Sequence, residues 1–376
     1  MIYLDNAAAT PMAGEVIDAM RPYYSDKFFN PSANYLPARQ VKQDIDSARS
    51  LIAYWLGARK PEIIFTAGAT EANNLAIRGV LEAFPGSNIV ITAIEHESVL
   101  NPANLFINNL APVNKAGIVQ PDKLVSLIND QTVLVSVMYA NNEIGSIQPI
   151  KQIAQKLETI RIARKKKGNK LPLYFHSDAA QAPNYLDLHV ARLGVDLMTI
   201  NGGKIYGPKQ SGFLFVKSGT KILPLIYGGG QENNLRSGTE NVANIIGLSV
   251  ALDKAQKIRE AESKRLSKLQ EKLISDLKDL IPSIVVNGSL TSRLANNVHI
   301  TIPGQDSERL LFKLEGSDIY CASGSACSAA KGNLSHVLSA IGHSNDQVRS
   351  SIRITMGRAT KESDLKVLIK ALREIV

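Results

Sequence analysis

The sequence predicts an α/β protein: a large domain with a mostly parallel sheet between helices, joined to a smaller α+β domain. Three observations carry this. From about residue 40 to 250, short β-rich runs alternate with helical patterns, as parallel strands covered on both faces require. After residue 250 the character changes to a long, charged, amphipathic stretch, "ALDKAQKIREAESKRLSKLQEKLISDLKDLI", which predicts a helix bridging to a second unit. The chain has 376 residues and 44% are apolar, enough for two cores. The expected division is 15–255 for the large domain, with 1–14 and 256–376 forming the small one.

Taken in order, the first strong element is a helix over Arg39–Leu56. Its Val41, Ile45, Ala48, Ile52 and Trp55 recur at helical spacing before Gly57. Candidate strands follow: "EIIFT" (Glu62–Thr66), "NIVIT" (Asn88–Thr92), "VLVSVMY" (Val133–Tyr139), "LYFH" (Leu173–His176), "DLMTI" (Asp196–Ile200) and "GFLFV" (Gly212–Val216). The basic run "RIARKKKGNK" (Arg161–Lys170) closes an amphipathic helical pattern, and cations suit a helix C-terminus.

Composition narrows the function classes. No apolar run is long enough to span a bilayer, and "MIYLDNAAATP" lacks the regions of a signal peptide, so a cytoplasmic protein is expected. Only Cys321 and Cys327 occur, which argues against a disulfide framework or a thiolate metal site. The formal charge is +9. No zinc finger, RNA-binding signature or GxxxxGK[ST] loop accompanies it, so direct nucleic-acid binding is not expected.

In open α/β sheets, ligands bind beyond the carboxyl ends of the strands. "EIIFT" leads to "AGATEANN", where Thr70 opens a helix whose free N–H groups suit a phosphate. "NIVIT" leads to His96, "VLVSVMY" to Asn141, Asn142 and Glu143, "LYFH" to Asp178, and "DLMTI" to "NGGK" with Lys204. Singly, these are a helix cap, a structural histidine, a polar loop, a core carboxylate and a surface turn. Five successive strand ends bringing them to one crevice are better explained by pyridoxal phosphate. That cofactor needs a lysine for a Schiff base, an acidic partner for its ring nitrogen, a phosphate cradle and a ring against its face.

The chain also resembles the cysteine desulfurases, fold type I pyridoxal phosphate enzymes of the class V aminotransferase group. The likeness runs nearly end to end, through "YLDNAAAT" (3–10), "NPSANY" (30–35), "FTAGATEANNLAI" (65–77), "EHESVL" (95–100) and "NNEIGSIQPI" (141–150). It continues through "HSDAAQ" (176–181), "GGKIYGPK" (202–209), "GGGQENNLRSGTEN" (228–241), "SGSACS" (323–328) and "SIRITMGR" (351–358). The resemblance implies that Lys204 carries the cofactor, His96 stacks on its ring and relays protons, Asp178 partners the ring nitrogen and Gln181 the ring hydroxyl. Ala69 and Thr70 match phosphate-binding positions. Thr239 matches a phosphate contact from the partner subunit, which implies a homodimer with shared sites. Asn142 and Arg353 match the residues that hold the substrate carboxylate, and Cys327 the cysteine that receives sulfur from L-cysteine and passes it to an acceptor protein.

"CASGSACSAAKGN" has no bulky apolar anchor, so the Cys327 segment is expected to be mobile, while Cys321 reads as a buried thiol. Two departures stand out. Asn201, Gly202 and Gly203 occupy positions where the family places a serine-like residue and a histidine on the phosphate. Losing such contacts costs about 1–3 kcal/mol of cofactor affinity, which Asn201 could partly restore. Tyr35 and Pro37 replace a histidine and a glycine. Another class V reaction, such as that of an aminotransferase or selenocysteine lyase, is the alternative, as is a scaffold that only binds sulfur-transfer partners. The sulfur's destination, whether iron–sulfur clusters, tRNA thiolation or DNA modification, is open.

Overall fold

The computed structural model describes residues 1–324 and 334–375. Strand β1 (Ile2–Tyr3) opens the chain. The central sheet is built from β2 (Ile63–Thr66), β3 (Asn88–Thr92), β4 (Ile107–Ala111), β5 (Thr132–Ser136), β6 (Tyr174–Asp178), β7 (Leu197–Asn201) and β8 (Gly212–Val216). Their spatial order is β2–β8–β7–β6–β5–β3–β4. All run parallel except β8, which lies antiparallel between β2 and β7. Strands β2, β3, β5 and β8 are buried along their whole length, which is why they are apolar without alternation. The edge strand β4, "INNLA", is half exposed, and its two asparagines hid it from apolar-run reasoning.

Period-2 geometry divides the strand side chains between two faces. Ile63, Phe65, Val90, Val135, Phe175, Met198 and Phe213 pack one core with the helices Leu36–Leu56 and Ile150–Lys166. Ile64, Ile89, Ile91, Leu134, Leu197 and Leu214 pack the opposite core with the helix Ala69–Ala83.

The helix Val242–Leu280 is about 58 Å long. Its Ile245, Leu248, Leu252 and Ala255 join the first of these cores, whereas Leu266, Leu273 and Leu277 enter a separate one with Val298, Ile300, Ile352 and Ile354. That separate core lies on a three-stranded antiparallel sheet of β9 (Val285–Val286), β10 (Asn297–Thr301) and a later strand. Between them in sequence, β11 (Ile319–Tyr320) pairs in parallel with β1, and β12 (Ser351–Thr355) then completes the order β12–β10–β9. Bridges from Asp5 to Thr355 and from Ala322 to Arg353 tie the N-terminus and β11 to β12. This stitching brings Asp5 beside Arg353. Among the described residues, no helix is long and apolar enough to cross a membrane, and no His/Cys/Asp/Glu group is arranged to hold a metal.

Candidate active site

The carboxyl ends of β3, β5, β6 and β7 open into one cleft of about 260 Å³. Ala69, Thr70, His96, Asn142 and Asp178 line it, together with Gln181, Asn201, Lys204 and Arg353. The antiparallel β8 separates β2 from this group of strands. Thr70 still arrives, because the helix after β2 crosses above the sheet and points its N-terminus at the cleft.

That helix begins at Gly68, whose φ of 133° and ψ of −179° suit only glycine. No side chain caps it, so its first N–H groups remain available to an anion. His96 sits at the N-cap of the helix Glu97–Ala103. Its Nδ1 accepts from Ser98 N at 3.1 Å, which leaves the proton of the neutral ring on Nε2. Asp178 is buried. Its Oδ1 accepts from Ala180 N at 2.9 Å and its Oδ2 from Asn73 Nδ2 at 2.7 Å. Asn73 Nδ2 also donates to Ser98 Oγ at 2.8 Å, and Ser98 Oγ lies 2.9 Å from His96 Nδ1. One amide therefore couples the carboxylate to the imidazole.

Lys204 ends a 3-10 turn, Gly202–Lys204, directly after β7. Asn201 Oδ1 caps this turn by accepting from Gly203 N at 2.9 Å, so only the Asn201 amide N–H groups remain to meet a ligand. Asn184 Nδ2 fixes the Lys204 carbonyl at 2.8 Å, and Lys204 Nζ donates to the carbonyl of Ala8. The two glycines have different reasons. A Cβ on Gly202 would overlap Ser211 Oγ, whereas one on Gly203 would meet nothing nearer than Asn201 Oδ1 at 3.4 Å. Packing demands the first glycine and permits a side chain at the second.

Sequence reasoning did not find Asn73, Ser98, Glu95 or Asp5. Glu95 precedes His96 and is wholly buried. Its Oε1 accepts from Thr92 Oγ1 at 2.6 Å and Met138 N at 2.8 Å, while Oε2 has no partner among the described residues. Burial pushes its carboxyl up to about 8, and nearby Asp178 adds to the rise. Two residues before Asp178, His176 is held between Ser136 Oγ at 2.8 Å and Thr199 Oγ1 at 3.1 Å. Burial pushes it down to about 3, so it is a neutral strut between β5, β6 and β7.

Thr239 does not reach this cleft. It lies in a second one of about 220 Å³, with Thr66, Gln210 and Arg236. Cys327 lies outside the described residues. Cys321 is half-buried by its surface, yet its thiol is enclosed. Burial, with Asp5 nearby, pushes it up to about 12.

An uncapped helix N-terminus, a hydrogen-bonded buried carboxylate, an imidazole of fixed tautomer and a lysine at the cleft wall fit the phosphate, ring nitrogen, ring face and aldehyde of pyridoxal phosphate. Comparisons with known proteins agree. Residues 2–368 match the aminotransferase class-V family. The cysteine desulfurase IscS of Dictyoglomus turgidum is 40% identical, covering 100% of this chain and 94% of that protein. A solved NifS-like protein superposes with a TM-score of 0.90 at 31% identity, covering 100% of this chain and 98% of that one. A second, from Rickettsia africae, gives 0.88 at 33%, covering 100% and 99%. The chain therefore belongs to the cysteine desulfurases, pyridoxal phosphate-dependent members of the class-V aminotransferase family.

Proposed function

We propose that this chain removes sulfur from L-cysteine, releases L-alanine and carries the sulfur as a persulfide on Cys327 for an acceptor protein. The convergence of Lys204, Asp178, His96 and Arg353 on one cleft beneath an uncapped helix end carries the reading.

Bound pyridoxal phosphate supplies a carbonyl that joins the substrate amine and a ring that draws electrons from Cα. The N–H groups at Ala69 and Thr70, with the Asn201 amide, would hold its phosphate. Asp178 would keep a proton on the ring nitrogen, and Gln181 would donate to the ring hydroxyl. Lys204 would anchor the cofactor, and its amine, once displaced by the substrate amine, would move the Cα proton. His96, with Nε2 turned from its own helix, would stand against the ring and relay protons. Arg353 and Asn142 fix the substrate carboxylate, a match for the planar guanidinium fork. The Cys327 thiolate attacks the substrate sulfur: an S–S bond forms, the Cβ–S bond breaks, and Cβ takes a proton. Thr239 faces a separate cleft of its own chain, from which it serves the phosphate of a second subunit in a homodimer.

The test is direct. Protein loaded with pyridoxal phosphate is yellow, borohydride fixes the cofactor to Lys204, and L-cysteine yields alanine. Lys204→Ala abolishes the borohydride fixation and the release of alanine. A colourless Lys204 protein that retains no cofactor and releases no alanine overturns the reading.

A further inference from the structure

We propose that Asp5 sets the charge of the substrate-carboxylate pocket, so that Arg353 accepts the zwitterion L-cysteine and turns away thiol carboxylates that lack an amine. The inference rests on the desulfurase reading of the cleft.

Arg353 reaches the cleft although its side chain is only 1% exposed. A guanidinium so buried requires a counter-charge. Asp5 supplies it, with Oδ1 2.7 Å from Nη2. Nη1 donates to the Asn142 carbonyl at 3.0 Å, and the buried Nε has no partner among the described residues. The charge of Arg353 is therefore matched before any substrate arrives.

The same N-terminal turn reaches Lys204. Asp5 O accepts from Ala8 N at 3.0 Å, and Ala8 O accepts from Lys204 Nζ. The turn thus presents a carboxylate at the Arg353 end and a carbonyl at the Lys204 end. A ligand carboxylate on Arg353 brings a second negative charge beside Asp5. An amino acid arrives with an ammonium on the same Cα, which offsets that charge before its amine joins the cofactor. A monoanion brings the repulsion alone. Asp5 does not touch the reacting atoms; it acts through Arg353 as a specificity-determining residue.

The probe is 3-mercaptopropionate, which is cysteine without its amino group. Its inhibition constant and the KM for L-cysteine are measured on pyridoxal phosphate-loaded wild type, Asp5→Asn and Asp5→Glu. Asp5→Asn is expected to bind 3-mercaptopropionate about tenfold or more tightly, the effect of removing one facing charge, with no parallel fall in the KM for L-cysteine. Asp5→Glu, which keeps the charge, is expected to keep the wild-type ratio. The proposal is overturned if Asp5→Asn weakens both ligands together, as a mere anchor for Arg353 would, or if it changes neither. It is also overturned if wild type binds 3-mercaptopropionate as tightly as L-cysteine, an outcome that needs no variant. Wild type that releases no alanine overturns the desulfurase reading and this proposal with it. Alanine release with an unshifted ratio overturns this proposal alone.

Discussion

Asn73 holds Asp178: its Nδ2 lies 2.7 Å from Oδ2 and, on its other side, 2.8 Å from Ser98 Oγ. The amide sits on the cleft-facing turn of the helix Ala69–Ala83 and is fully buried. Asn73→Ala removes a hydrogen bond to a charged group, worth about 1.5–3 kcal/mol, and leaves Ser98 and His96 without that link. Desulfurase turnover is expected to fall about tenfold to a hundredfold, with cofactor retention reduced. Steady-state alanine release and the bound fraction of pyridoxal phosphate check this.

Glu95 makes stability depend on pH. Its folded carboxyl titrates near 8, above the ordinary value of 4.5, so the folded state holds its proton more tightly than the unfolded chain. This contribution is fully present below about pH 4.5 and is lost as pH rises to about 8. Glu95→Gln keeps an oxygen for Thr92 and Met138 and never ionises. It is expected to match wild type at low pH and to exceed it increasingly toward pH 8, by a few kcal/mol at most, about the scale of such a shift. Thermal melts across that range read the divergence.

The glycines before Lys204 are expected to respond oppositely. Gly202→Ala forces a methyl into Ser211 Oγ and destabilises the fold by about 1–3 kcal/mol. Gly203→His has room for its Cβ and restores an imidazole at the phosphate end. It is expected to tighten pyridoxal phosphate by about 1–3 kcal/mol, seen as a lower dissociation constant.

The two cysteines are expected to separate by reactivity. With its thiol pushed up to about 12, Cys321 stays protonated at neutral pH and reacts negligibly with iodoacetamide. Peptide mapping is expected to find the label on Cys327, and Cys321→Ser is expected to keep full turnover.

Much of this was legible in the sequence, because β2, β3 and β5 are buried apolar runs and the chemistry follows them, as it follows β6 and β7, within a few residues. The run Arg161–Lys170 does close a helix, with Arg164, Lys165 and Lys166 in the last turn. What stayed hidden is non-local or breaks the pattern. Asp5 meets Arg353 across 348 residues of chain through strands β1 and β11, each of two residues, too short for any periodicity. Asn73 and Glu95 look like helix and turn polars until the fold buries them. The reversal of β8 leaves no mark on an apolar run. Ser211 explains Gly202 only once β7 and β8 lie side by side.

The most direct measurement is where the sulfur goes. Protein loaded with pyridoxal phosphate is given one equivalent of L-cysteine without added thiol, and its peptides are weighed. The account predicts alanine in equal amount and one added sulfur atom on the peptide bearing Cys327. Sulfur on Cys321 instead, or undiminished sulfide release from Cys327→Ser, would contradict it.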